Sequence, residues 1–557
     1  MSKSKQTVNA PENAERPLGS KFINLYLFIM FTLFPLFVAT YTNGDFPFIH
    51  LDDGFIGIRH QKYYLFVVMT AVAAIAEILL LATGQLDFGV KKSNVKKRSA
   101  VESVTFTDWA AMALVLCCAV STVLSPYIEL AFWGESKIGG YTQGRNNGLF
   151  LILVYVLAYF LITRLYRFAE FVFVGLGATC AAVYLLTVLN GFYIDPLNMF
   201  SNFVSQENVY MEFFATIGNK NMLSSFICVT LPVIFTMSVV TKKPVFRAIY
   251  LVSTALGTMA LIIGDSDSGM LGITVFLAVF LVVFIRKPSR LRYYFLAVTV
   301  MLGAVKLLRL FSLMMNDNYK KLGRLPSAVL FSRYTYFLLA AAAVITILLF
   351  IICKKKPGLT LPKAVPVALG SVFGMLALGV LGVFIYFSAV DTETPLGDFE
   401  NILRFSPEWG THRGIMWIRS FDIFKGADFT HKLFGYGPDT FYCLYEPYFS
   451  ELKEYGNSST DAAHNEYINY LVTIGIAGLG SYLAFVGGAL VRGFRSAKND
   501  PTVLAFAAGA VAYAAQAVVN IAVPITTPLF IIFISLCEAC ARQRDADQVG
   551  DAANPSV

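Results

Sequence analysis

With 557 residues, 56% of them hydrophobic and only 14% charged, and a positive mean hydropathy, the chain has too little polar surface to be a soluble globular protein. Its formal net charge of +8 does not point to nucleic acid. Lys and Arg gather in the terminal tails and in every second loop, the positive-inside pattern of a polytopic membrane protein, so the charge reports topology.

Apolar runs of about 17 to 25 residues predict about fourteen transmembrane helices with both termini cytoplasmic. The first span is Phe22 to Tyr41, which has no small-residue cleavage site and is expected to be retained. Tyr63 to Thr83 follows, then an inner loop with Lys91, Lys92, Lys96, Lys97 and Arg98. Phe106 to Leu124 leads to an outer loop containing Arg145, and Gly148 to Ile162 and Phe171 to Leu189 form the next pair. After an outer segment ending in Gly218-Asn219-Lys220-Asn221, a sixth span runs from Met222 to Val240. The seventh and eighth form a hairpin whose outer turn is Gly264-Asp265-Ser266-Asp267-Ser268-Gly269. Its paired carboxylates resemble those with which sugar-nucleotide enzymes hold a divalent metal, but no further ligand lies nearby in sequence, and no metal is assigned.

A ninth span, Tyr293 to about Phe311, carries Lys306 and Arg309, which are expected to snorkel or to face a cavity. A tenth ends at Lys354 to Lys356, and an eleventh covers Ala364 to Phe387. The longest extramembrane segment, about Asp391 to Ala463, comes next. It divides the chain into a membrane part over 1–390, the loop over 391–463, three further spans over 464–541 and a cytoplasmic tail over 542–557. Within the loop, Arg413 to Phe424 places Trp417, Phe421 and Phe424 on one helical face, which fits either an amphipathic helix at the membrane interface or a packed surface helix. The last spans are a helix starting at His464, then about Pro501 to Ile521 and Thr526 to Ala541.

Cys443 alone of the eight cysteines falls outside the spans and their ends, so no outer intrachain disulfide is expected, and the Cys537/Cys540 pair reads as packing. The five histidines, His50, His60, His412, His431 and His464, all fall in or beside outer segments, which places proton chemistry there. His464 is expected in the first turn of its helix, after a cap at Thr460 or Asp461. The positive end of the helix dipole would keep that ring neutral, a proton acceptor; the plainer alternative is a polar residue marking the membrane edge. Arg145, Lys220, Arg404, Arg413 and Arg419 are outer cations in a chain biased against them, which suggests an anionic ligand such as pyrophosphate, with lipid head groups as the alternative.

His464-Asn465-Glu466-Tyr467 followed by Ile-Asn-Tyr-Leu-Val-Thr-Ile-Gly-Ile-Ala-Gly resembles the signature of the O-antigen ligase and Wzy-type polymerase family. Gly218-Asn-Lys-Asn221, Arg413-Gly-Ile-Met-Trp417 and Leu433-Phe-Gly-Tyr-Gly-Pro-Asp439 fit the same resemblance in order. It implies a GT-C-like, cofactor-free and metal-independent glycosyltransferase of the bacterial cytoplasmic membrane, working on its outer face. The partners implied are an undecaprenyl-pyrophosphate-linked glycan donor, a glycan or lipid acceptor and membrane lipids. On this resemblance Arg413 and His464 are the catalytic candidates, and Arg145, Lys220, Asn219, Asn221, Glu466 and Arg404 the candidates for holding pyrophosphate or substrate. Two departures stand out: Lys220 where family members often have Pro, and Asp267-Ser268-Gly269 where they often have Ser-Arg-Gly. A span count above the twelve expected of ligases favours a polymerase. A flippase for the same lipid-linked glycans is the rival of another class, but it would need charged groups deep within the spans.

Overall fold

A computed structural model describes residues 17–38, 54–85, 104–138, 141–199 and 213–553. The expected inner loop from Lys91 to Arg98, His50 and the end of the C-terminal tail lie outside the described residues. The described chain is a helical bundle with two short antiparallel hairpins, β1 (Ser136–Ile138) with β2 (Tyr141–Gln143) and β3 (Phe213–Phe214) with β4 (Gly218–Asn219). Eleven described helices are long and apolar enough to cross a membrane, so this is a multi-pass membrane protein. The other expected spans are helices too, but Leu149–Leu165 and Val503–Val519 are shorter, and Thr527–Ala553 carries Glu538 near its middle and Arg542 and Arg544 in its second half.

The N-terminal half comprises α1 (Leu18–Leu36), α2 (Gly54–Ala82), α3 (Phe106–Leu124), α4 (Ile128–Trp133), α5 (Leu149–Leu165) and α6 (Glu170–Gly191). Next come α7 (Lys220–Val240), α8 (Pro244–Ile263), α9 (Asp267–Ile285) and α10 (Pro288–Met314). Proline at the first helical position starts α8 and α10, where a missing N–H costs nothing. Almost every residue of α7 is buried, which makes it the axis of the bundle. At the other extreme α13 (Ala364–Ala389), which follows α11 (Arg324–Phe331) and α12 (Tyr334–Lys355), buries no residue and stands at the periphery. Lys306 and Arg309 on α10 both find partners in the next connector. Lys306 donates to the carbonyls of Leu330 (3.3 Å) and Ser332 (2.9 Å), and Arg309 to Ser312 (2.9 Å) and Asp317 (2.6 Å), so both fasten the connector to α12.

The long loop folds into α14 (Glu400–Leu403), α15 (Trp409–Gly426), α16 (Phe429–Phe434), α17 (Phe441–Tyr445) and α18 (Phe449–Glu454) over a small core of its own, which includes Ile415, Met416, Phe441, Tyr445, Leu452 and Ile468. The buried side of α15 is Gly414, Ile415, Met416 and Ser420, whereas Phe421 is exposed, so the face expected from Trp417, Phe421 and Phe424 is not the one that packs deepest. The single helix expected from His464 is two, α19 (Glu466–Thr473) and α20 (Gly475–Ser496). They break at Gly475, whose φ of 69° is left-handed and where a Cβ would lie 2.4 Å from the Leu433 backbone. Gly435 meets Thr473 in the same way at 2.3 Å, so α16 crosses the break backbone to backbone, an approach only glycine permits.

The last helices, α21 (Val503–Gln516) and α22 (Thr527–Ala553), close the bundle. At the end of the bundle away from His464, charges on four helices meet. Asp108 on α3 takes a bidentate pair of hydrogen bonds from Arg164 at 3.0 Å each and a further bond from Arg542. Glu538 joins Arg542 (3.2 Å), Arg492 (2.7 Å) and the Thr105 hydroxyl (3.1 Å). Asp108 and Glu538 are wholly buried, so each depends on these partners for its charge. Asp108→Ala should therefore cost about 3–5 kcal/mol. The check is thermal unfolding of the purified full chain in detergent, and an unaltered unfolding temperature would mean that the cluster bears no weight.

Candidate functional site

His464 does not lie in the first turn of a helix. Asn465 is the cap of α19, its Oδ1 accepting from the amides of Tyr467 and Ile468 at 3.0 Å each, and His464 precedes it with a left-handed φ of 50°. The residue is held from both sides. Trp417 Nε1 donates to the Ala463 carbonyl (3.0 Å), the Ala463 amide donates to Asn469 (3.2 Å), and the Asn465 cap fixes the following turn. So placed, His464 keeps a buried Nδ1 with no hydrogen-bond partner among the described residues.

Two guanidinium groups act electrostatically on this ring. Arg145 sits in the β2–α5 connector, which Asp439 anchors by accepting from the amides of Arg145 (2.6 Å) and Asn147 (2.9 Å). Its Nη2 is paired with Asp461, while its Nε and Nη1 are buried without an acceptor among the described residues. Arg413 comes from α15, directly after Gly410, Thr411 and His412, all three with φ between 61° and 67°. That left-handed turn is costly for Thr411 and His412, and it turns the chain so that Arg413 Nη1 donates back to the Gly410 carbonyl (3.1 Å). Its remaining N–H groups have no protein acceptor among the described residues, and the opposing charge it feels is that of Asp267.

Burial, then the charges of Arg145 and Arg413, hold the His464 imidazole well below its usual range, against the pull of Asp461. Burial alone would raise the Asp461 carboxyl, but Arg145 and Arg59 keep it below the ordinary carboxylate range. Asp439 is the opposite case: burial raises it to about 6 despite the two amides it accepts from. The site is thus a neutral imidazole beside unpaired guanidinium N–H groups, an arrangement that can bind an oxyanion and accept a proton beside it.

The other expected residues fall elsewhere. Glu466 is buried and bonded to the hydroxyls of Tyr482 (2.5 Å) and Tyr513 (3.0 Å), which ties α19 to α20 and α21. Asn219 caps α7 through the amides of Asn221 and Met222, at 3.1 Å each, while Asn221 gives its carbonyl to Asn520 (2.8 Å). Lys220 is exposed at the start of α7. Arg404 is spent on structure: it pairs with Glu400 and donates to the carbonyls of Phe387, Asp391 and Thr394. Arg419 is likewise consumed by Glu451 (2.6 Å) and Asp422 (2.8 Å). Asp265, half of the carboxylate turn, accepts the Gly323 amide (2.6 Å). Sequence reasoning missed Asp439 and Arg59 and offered Asp461 only as one of two cap candidates, with Thr460. Asp439 sits in Leu433–Asp439, a stretch already singled out, but its partners lie 292 and 294 residues away.

Residues 325–483 match the family model described as O-antigen ligase, a range that includes Arg413, Asp439, Asp461 and His464. No curated protein matches the chain.

Because the folded state holds His464 neutral, it binds fewer protons than the unfolded chain between the depressed value and about 6.5, so His464 makes folding less favourable as pH falls below about 6.5. Asp461 acts in the same direction at lower pH, and Asp439 in the opposite one between about 4 and 6. In protein carrying ¹³C-labelled histidine, the His464 resonance, assigned by its loss in His464→Gln, should stay at the neutral position from pH 8 to 5. A midpoint between 6 and 7 would contradict the electrostatics described.

Proposed function

The chain carries an O-antigen ligase segment, and from that premise we propose that it is a GT-C-like glycosyltransferase that polymerises undecaprenyl-pyrophosphate-linked repeat units on the outer face of the bacterial cytoplasmic membrane. The observation that carries this reading is the neutral His464 with an open Nδ1 in the field of two guanidinium groups that still have free donors. The acceptor hydroxyl oxygen attacks the anomeric carbon of the donor glycan. As the new C–O bond forms, the bond to the carrier pyrophosphate breaks, and the electron pair leaves with the phosphate oxygen. A single displacement of this kind inverts the anomeric centre.

Arg413 and Arg145 hold the pyrophosphate and stabilise the charge it gains, work that needs no metal in this scheme. His464 takes the hydroxyl proton. Its low proton affinity in the empty site comes partly from the same two arginines, so an anion bound to them raises that affinity when substrate is present. Asp461 and Asp439 position Arg145. The description of the matching family favours one second reading, ligation, with the same donor chemistry and a lipid or protein acceptor.

Cells bearing His464→Ala or Arg413→Ala at wild-type membrane abundance should accumulate single repeat units on their carrier, with transfer reduced at least about 100-fold. Long chains that persist on the carrier would identify a ligase. Unchanged glycans in both variants would refute catalysis at this site.

A further inference from the structure

The cationic pole at His464 has a counterpart beside the turn between α8 and α9. Lys320 follows α10, its amide held by the Gly191 carbonyl (2.9 Å), and its side chain is 2% exposed. The ammonium lies 4.1 Å from the centre of the Phe214 ring and has no hydrogen-bond acceptor among the described residues. The charges it feels are those of Asp265, whose carboxylate is already engaged by the Gly323 amide, and of Lys220 at the start of α7. Burial lowers the Lys320 ammonium to about 7, the mark of a cation without a sufficient counter-charge. Asp267 feels the charges of both Arg413 and Lys220. Lys220 follows β4, the strand that pairs with β3, and β3 carries the Phe214 ring under Lys320.

We propose that Lys320 and Lys220, at the positive end of α7, form a second anion subsite that holds the phosphate of a second lipid-linked molecule, the acceptor. A buried ammonium is stable when paired, and no hydrogen-bond acceptor meets this one among the described residues. Two ammonium groups and a helix N-terminus suit phosphate, which lysine binds as a point charge. The carboxylate of Asp267, which acts on cations of both groups, disfavours one anion shared between them and assigns one anion to each. The proposal rests on the polymerase reading, in which both substrates arrive on a carrier phosphate, and it goes further by giving the acceptor its own residues.

The test is a titration of the full chain with inorganic pyrophosphate in nanodiscs of phosphatidylcholine. Wild type should bind two equivalents, and Lys320→Gln and Arg413→Ala one each. Lys320→Arg should restore two. Lys220→Ala, at an exposed position where folding is not at risk, should weaken one equivalent about ten-fold. With donor saturating, Lys320→Gln should raise the acceptor concentration needed for half-maximal transfer at least about ten-fold and leave that of the donor unchanged. Two equivalents in Lys320→Gln, or a single equivalent in wild type that only Arg413→Ala removes, would overturn the second subsite and leave the proposed function standing. Loss of the second equivalent only in discs containing phosphatidylglycerol would assign the pole to a lipid head group and overturn its acceptor role. Full transfer by Arg413→Ala would overturn the proposed function itself, whatever Lys320 does.

Discussion

The site depends on the pairing of Arg145 with Asp461. A guanidinium buried beside an imidazole would be expelled or would distort its loop, but with one nitrogen committed to Asp461 and its own amide held by Asp439, it stays with its other donors open. This arrangement joins three segments: the connector before α5, the turn after α16, and the approach to α19. Each is irregular backbone, and each is positioned by the helices it leaves. The ring of His464 is placed by the same device. Its backbone is in the left-handed region, and Trp417, Asn465 and Asn469 fix the residues on either side of it.

Much of the bundle was legible in the chain because length and apolarity decide which segments leave water. The axis α7 and the peripheral α13 were both visible as spans, although nothing in their hydropathy distinguished the buried helix from the exposed one. The break at Gly475 was not visible. Its cause is the approach of Leu433, forty-two positions earlier, and periodicity within a helix carries no information about what crosses it. The candidate cations show the same limit. Arg145, Arg404, Arg413 and Arg419 look alike in sequence, each an outer arginine, yet Arg404 and Arg419 find carboxylates and carbonyls that use their donors, whereas Arg145 and Arg413 keep some free. The difference lies in tertiary partners. His464 and Arg413 could be singled out because they sit in motifs, and Lys320 could not, since its burial follows from contacts with Phe214 and Gly191.

The polar features are unevenly distributed, and this bears on mechanism. At the His464 end the charged groups are incompletely paired, and the backbone is left-handed at Asp265, Thr411, His412, Asp439 and His464. At the opposite end the charges are densely paired and the helices regular. Chemistry that must recruit a charged ligand needs donors the protein has left unused, and rigidity elsewhere keeps those donors in place.

The paired end also sets an order on how the protein is made. Asp108 meets Arg164 after 56 further residues but Arg542 only after 434, and Glu538, which shares Arg542 and Arg492, is supplied by the last helix. A nascent chain can therefore neutralise Asp108 early, with a neighbour two helices on. It can complete the cluster only once synthesis has nearly ended. Until then Arg492 on α20 lacks Glu538, and a chain cut before Thr527 would expose that lack to any machinery that surveys unpaired charge in the membrane. The cluster thus closes only when the last helix is in place.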